Sequence, residues 1–526
     1  MTISEGFLGV LACALLLLFV SVAGDDGAEG FETWFTTNKD EMENTPIYFD
    51  NPLPKWLKGT LIRNGPGQFE MGQRKFLNAI DGYAKLSSWA FPGNGSAYFS
   101  TKFIRSKSYV NAVSKDDILP FLSFDAVDPP FNDFQKLESV LNELDNMNVN
   151  VYKFLDQGKP VFAALSDTWK LYEVNESLTT LKSVNVPHPE KVPAENVGFI
   201  TSMSCAHPVN EYGSSDTYFN FYTSLSLTPG VKHRLTLVRI KSMVDRQVIA
   251  EWETDKAAYM HSFSVTPNYV IFFVAPYYIN IEELLMHASV KDGLDWFSKE
   301  NTSVYIVNIK TGQIHDMAIP NMMALHHINA FEFPDGRIVV DVAAHRDPFF
   351  STAFKMSTIH NATARASIKT TNLVKRFIFD IERNRYTEQT FKDSDKYQCA
   401  SKLEVPTVNE NYRSKPYCFV YGGVYNYDGK DFAHIPLVKK DLCSQQGDKA
   451  LYIPNHYPTE AWFIPLPPEV AKTEDDGYLI SSFLDGTTKQ SYVAIIDPKN
   501  MTITHKAMLP TVVPFTIHGR FFQDSV

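Results

Sequence analysis

From about residue 59 to the C-terminus, short apolar stretches alternate with turn clusters such as Asn175-Glu-Ser, Pro334-Asp-Gly336, Asp428-Gly and Asp497-Pro. Apart from residues 119–144, no long helical pattern interrupts this cadence, and strands so spaced point to an all-β barrel, sandwich or propeller. Residues 59–70 read Gly-Thr-Leu-Ile-Arg-Asn-Gly-Pro-Gly-Gln-Phe-Glu. That pattern predicts a short strand, a tight Gly-Pro-Gly turn and a second strand. Ile80-Asp81-Gly82 predicts another hairpin turn, followed by paired strands over 85–90 and 97–103. The polar segment 25–58, with Pro46, Pro52 and Pro54, is expected to be extended chain.

Residues 324–332, Ala-Leu-His-His-Ile-Asn-Ala-Phe-Glu, place two adjacent histidines in an apolar alternating run. A desolvated imidazole there needs a partner. His207 in Cys-Ala-His-Pro, His261 in Met-His-Ser-Phe-Ser-Val and His518 in Ile-His-Gly-Arg-Phe-Phe have similar settings. Any one of them, taken alone, reads as a core histidine bonded to a backbone carbonyl. As a set of four without a carboxylate, they suit a redox metal such as Fe(II). They lie 54, 65 and 192 residues apart. One ligand per sheet unit of about 50 to 65 residues gives this spacing, and a propeller converges its innermost strands on one axis.

A net charge of −11 and the absence of a basic aromatic patch exclude nucleic acid as a partner. The same charge excludes an electrostatic hold on anionic lipid, so any membrane contact must be hydrophobic. Residues 119–144 supply a candidate, with Phe134, Leu137, Val140, Leu141 and Leu144 on one face of a predicted helix. This element is expected to cap one mouth of the β-structure, and Phe121, Phe131, Phe134 and Leu137 are candidates for membrane contact. The apolar run 7–23 reads as a signal peptide ending near residue 24, or as an uncleaved anchor. The mature single domain would then span 25–526, in the secretory pathway or membrane-associated, with a cytoplasmic location as the alternative. Asn94, Asn175, Asn301, Asn361 and Asn500 head glycosylation sequons. Outside the leader, Cys205, Cys399, Cys418 and Cys443 are too scattered for a disulfide scaffold, though one bridge among the last three is open.

Several stretches, in order along the chain, carry a resemblance. They include 61–70, Ala206-His-Pro, His261-Ser-Phe-Ser-Val-Thr-Pro-Asn-Tyr, His326-His-Ile-Asn-Ala-Phe-Glu, Lys415-Pro-Tyr, Glu474-Asp-Asp-Gly-Tyr and His518-Gly-Arg-Phe. The chain resembles the carotenoid cleavage oxygenases, in the animal branch that holds the β-carotene oxygenases and the retinal-pigment-epithelium retinoid isomerohydrolase. The resemblance implies a seven-bladed β-propeller with a helical cap over the iron face. It also implies a non-haem Fe(2+) held by His207, His261, His326 and His518, with His327 a packed imidazole. Three outer carboxylates would serve the last three histidines in turn: Asp167 for His261, Glu404 for His326 and Glu460 for His518. Asp167 departs from the family's glutamate by one methylene. The acylated cysteine of vertebrate relatives is also absent, since the region reads Val127-Asp-Pro-Pro-Phe-Asn.

The expected activity is cleavage of a carotenoid C=C bond by O₂ to give aldehydes, with 15,15′-cleavage of β-carotene to retinal foremost. Off-centre cleavage to apocarotenals and retinoid isomerohydrolysis are the enzymatic alternatives. A carotenoid or lipid carrier is the non-enzymatic one, and four retained histidines argue against it.

Overall fold

The computed structural model describes residues 28–186, 199–394, 396–397, 399–444 and 446–523. The apolar run 7–23 lies outside the described residues. Strand accounts for 45% of the chain and helix for 11%, so the fold is mostly β as the turn cadence predicts.

Among the described residues, seven antiparallel sheets of four or five strands follow one another along the chain. Five are built from strands consecutive in sequence, and a sixth is interrupted only by the separate two-stranded pair Tyr277–Ile279 and Leu294–Trp296. The remaining one is completed from both ends: the C-terminal strand His518–Phe522 pairs with Lys58–Gln68. Each sheet buries its faces against the next through its own apolar cluster. Phe273, Val304 and Ile306, for example, meet Val340, Phe377 and Phe379 of the following sheet. The last sheet packs back on the first, with Ile480, Val493 and Ile495 against Leu61, Trp89 and Phe99. The core is therefore distributed between sheets and not gathered in one centre.

Three local expectations are corrected. Ile80-Asp81-Gly82 is not a hairpin turn: Ala79–Asp81 forms a 3₁₀ turn, and the strand Tyr83–Pro92 after it pairs with Lys58–Gln68 and Ala97–Phe103, not with the preceding Arg74–Phe76. Gly65-Pro66-Gly67 is not a turn but the far half of the single long strand Lys58–Gln68, with a register irregularity between Pro66 and Gln68. Gly65 is needed for close approach, because a Cβ there would lie 2.4 Å from the Phe515 carbonyl oxygen. Segment 25–58 is not simply extended either. Its 3₁₀ turn Phe31–Phe35 drives Phe31, Trp34 and Phe35 into an aromatic cluster with Phe350, Phe354, Phe432 and Phe515. The predicted strand over 97–103 forms as Ala97–Phe103.

Between sheets, polar side chains near the middle replace the missing backbone ladder. Asn64 donates to the carbonyls of Met147 and Asn150, and Asn150 donates to that of Ala206. Ser262 donates to Leu325, and Asn329 donates to Tyr412. A buried amide or hydroxyl costs stability unless paired, so these bonds fix neighbouring sheets in register where the histidines lie. Among the described residues Cys418 and Cys443 form a disulfide, while Cys205 and Cys399 are free and buried.

Candidate metal centre

His207 lies just ahead of strand Val209–Asn210 and His261 just ahead of Ser264–Val265. His326 sits within Met323–Glu332, and His518 opens His518–Phe522. Four different sheets thus each deliver one imidazole to a common point. One nitrogen from each ring falls within 4.8 Å of the others. The Nε2 atoms of His207 and His261 are 3.0 Å apart, and those of His326 and His518 are 3.2 Å apart.

The outer nitrogens explain which way these rings are protonated. His261 Nδ1 donates to Asp167 Oδ2 at 2.8 Å, His326 Nδ1 to Glu404 Oε2 at 2.5 Å, and His518 Nδ1 to Glu460 Oε1 at 2.9 Å. Each carboxylate is an acceptor, so it holds the proton on Nδ1 and leaves the Nε2 lone pair facing inward. Burial, reinforced by the neighbouring imidazoles, holds His207 and His518 neutral well below the usual histidine range. Converging lone pairs repel one another, and a cation between them turns that repulsion into coordination. The residues present therefore fit a bound transition metal. An all-imidazole set of four leaves up to two positions of an octahedral ion open.

Asp167 reaches His261 directly, with no bridging group, despite its shorter side chain. Its other oxygen accepts the Ala206 N–H at 2.9 Å, so the backbone beside His207 draws the carboxylate inward. His327 stands outside the cluster. Adjacent strand residues face opposite ways, and its Nδ1 is hydrogen-bonded with Ser264 Oγ at 2.7 Å while its ring meets Phe273. Burial pushes its pKa down to about 3.

Three neighbours were missed in the sequence. Tyr259 donates its hydroxyl to Asp167 Oδ2 at 2.9 Å. His345 bonds the second oxygen of Glu404, and Arg63 pairs with the second oxygen of Glu460. Burial would raise Glu404, but the flanking His326 and His345 hold it below the carboxylate range. Burial raises Glu460 against the pull of Arg63. No spacing rule links these partners, since Arg63 and Glu460 are 397 positions apart.

The two sides of the centre differ. Leu325 and Ile517, each adjacent to a cluster histidine, join Tyr259 and the large aromatic cluster on one side. A polar cavity of about 110 Å³ reaches His207, His326 and His518 and is lined also by Asn210, Glu410, Arg413 and Arg520.

The membrane candidates divide. Phe121 is 3% exposed and packs on Phe76 and Tyr83 in the core, so it is withdrawn from the set. Phe131 is half-buried beneath Arg74. Helix Asp133–Asn142 forms, but its apolar face points outward: Phe134 is 76%, Leu137 55% and Leu141 72% exposed. Among the described residues no helix is long and apolar enough to cross a membrane.

Antiparallel sheets packed in succession, presenting four inward imidazoles of which three have a carboxylate on Nδ1, form a site that could hold a metal ion. The chain belongs to the retinal pigment epithelial membrane protein family, whose model matches residues 35–523. It is 26% identical to human β,β-carotene 15,15′-dioxygenase over 92% of this chain and 93% of that one. It is 25% identical to the mitochondrial carotenoid-cleaving dioxygenase of Mustela putorius furo, over 89% and 92% of the two chains. Cobalt-substituted Synechocystis apocarotenoid oxygenase superposes with a TM-score of 0.77 at 20% identity, covering 94% of this chain and 98% of that one. The protein is an oxygenase.

Proposed function

We propose that the protein is a non-haem Fe(II) dioxygenase that cleaves one C=C bond of a carotenoid, with β-carotene and its 15,15′ bond as the first substrate to test. The observation that carries this reading is the set of four inward Nε2 atoms, three of them held as lone-pair donors by Asp167, Glu404 and Glu460. The relatives named for carotenoid cleavage support the substrate class. The seven sheets, each packed on the next and the last on the first, support seven blades of a propeller formed by one domain, with helical segments capping the aromatic side.

Iron(II), when bound by His207, His261, His326 and His518, supplies the activation of O₂ toward the polyene. The chain supplies everything else. The three carboxylates hold each Nδ1 proton in place, so the ligating rings keep one orientation. Arg63 balances the buried charge of Glu460. Leu325, Ile517 and the aromatic cluster exclude water from the side on which an apolar polyene would lie. The balance is simple: one C=C is broken, and each carbon takes one oxygen atom of O₂ to become an aldehyde.

The test is incubation of iron-loaded protein with β-carotene under ¹⁸O₂. The expected product is retinal, labelled in its aldehyde oxygen. Apocarotenals of unequal length would move the cleaved bond off centre. Product from retinyl ester but not from β-carotene would replace the reading with isomerohydrolysis, and bound carotenoid without iron or product would make the protein a carrier.

The exposed apolar face of helix Asp133–Asn142 supports hydrophobic membrane contact. The disulfide and the exposure of all five sequon asparagines support a secretory, glycosylated form. A mass decrease on treating secreted protein with peptide N-glycosidase tests this, and an unchanged mass would count against it.

A further inference from the structure

The polar cavity beside the metal centre has a charge arrangement that the reaction does not use. Its inner end is formed by His207, His326 and His518, and its outer part by Asn210, Glu410 and Arg413, all half-exposed. At about 110 Å³ it holds a few waters and excludes a polyene. It is therefore a passage for species of water or ion size, on the side away from the aromatic cluster.

Two cations line it. Arg413 is neutralised by a two-pronged bond to Glu410 and also donates to the Ile328 carbonyl. Arg520 is different. No carboxylate lies within ion-pair distance of it among the described residues. Its guanidinium is instead held over the Tyr152 and Trp462 rings, 4.6 and 5.3 Å from their centroids, with one long contact to Asn210 Oδ1 at 3.4 Å. Strand periodicity puts Arg520 on the same face as His518, so both side chains enter this cavity.

We infer that Arg520 is an electrostatic gate on the polar passage, slowing the exchange of divalent iron between the four-histidine centre and solvent while leaving water free to pass. A fixed positive charge in a narrow, poorly hydrated route raises the barrier for a doubly charged cation far more than for a neutral molecule. The aromatic rings keep the guanidinium in place, and although Glu410 attracts it from beyond ion-pair distance, that one carboxylate faces both Arg413 and Arg520 and leaves a positive charge in excess there. The family reading requires only that iron bind. The gate concerns how fast it leaves, and it rests on that reading.

The test is the release of iron from the purified, iron-loaded full-length protein to an excess of a ferrous-specific chelator, followed by absorbance. Arg520→Met removes the charge and Arg520→Lys keeps it. Asn210→Asp leaves Arg520 intact but sets a carboxylate beside it. Arg520→Met and Asn210→Asp are expected to speed release on the order of tenfold, with Arg520→Lys close to wild type. Unchanged rates in both charge-cancelling variants would overturn the gate. So would a Lys variant as fast as Met with Asn210→Asp unchanged, since that pattern reports lost packing. A wild-type protein that cannot be loaded with iron overturns the four-histidine reading itself, and the gate falls with it. Loaded wild type with unaffected variants removes only the gate.

Discussion

His345 occupies the second oxygen of Glu404 while His326 takes the first, so one buried carboxylate is shared by two imidazoles. Its ring is stacked on Phe349, and burial leaves it 2% exposed. Removing its donor frees one oxygen of Glu404 and loosens the orientation of His326. His345→Phe is therefore expected to weaken iron retention about 10- to 100-fold, the usual effect of losing an outer partner. His345→Gln, which keeps a donor, should recover much of that loss, and equilibrium dialysis against a chelator measures both. Alanine at His207, His261, His326 or His518 should remove iron and cleavage together, while His327→Ala keeps the metal. Iron lost from His327→Ala but retained in His326→Ala would reverse that assignment. Asp167→Ala should also fall in the 10- to 100-fold range. Asp167→Glu restores the residue the family pattern expects, yet it should weaken retention too, because all of Asp167's partners already lie between 2.8 and 2.9 Å. The histidines were legible in the sequence because each lies in its own local apolar setting. Tyr259, His345 and Arg63 were not, because their roles arise from sheets that meet only in three dimensions.

At the scale of the element, helix Asp133–Asn142 is where periodicity spoke and direction stayed silent. Asn132 and Gln135 form a reciprocal capping box that fixes its start. An apolar stripe at helical spacing looks the same whether it faces a core or a lipid. The structure turns Phe134, Leu137 and Leu141 outward, and the neighbouring helix Ile281–His287 adds exposed Leu285 and Met286. Liposome flotation should survive high salt, since the attraction is apolar. Serine at Phe134, Leu137 and Leu141 together should lower partitioning more than about a hundredfold, each apolar side chain contributing roughly 1.5 kcal/mol or more. Binding lost in salt but kept in the triple variant would point to charge instead. The Gly-Pro-Gly stretch failed for a related reason: a turn motif and a bulge in a long strand share the same residues, and only the approach of Phe515 selects the second.

For the whole molecule, the mostly-β class followed from turn cadence, while the closing contact between the last sheet and the first had no local signature. That contact depends on the C-terminal strand lying tightly against Lys58–Gln68, in register with Gly519 opposite Arg63. A Cβ at Gly519 would stand 2.2 Å from the Ile62 carbonyl oxygen and 2.7 Å from Arg63 Cα, and both are backbone atoms that cannot swing aside. Gly519→Ala must therefore push the strands apart at the position flanked by His518 and Arg520. The expected cost is about 1–3 kcal/mol in stability, the range for forced overpacking. Because the displaced strand carries a histidine of the cluster, iron retention should fall in the same variant. Urea unfolding followed by far-UV circular dichroism measures the first effect, and iron content after gel filtration the second. A variant with the wild-type midpoint and full iron would mean that the two chain ends can separate there without disturbing the centre, and the tight closure would not be what holds His518 in place.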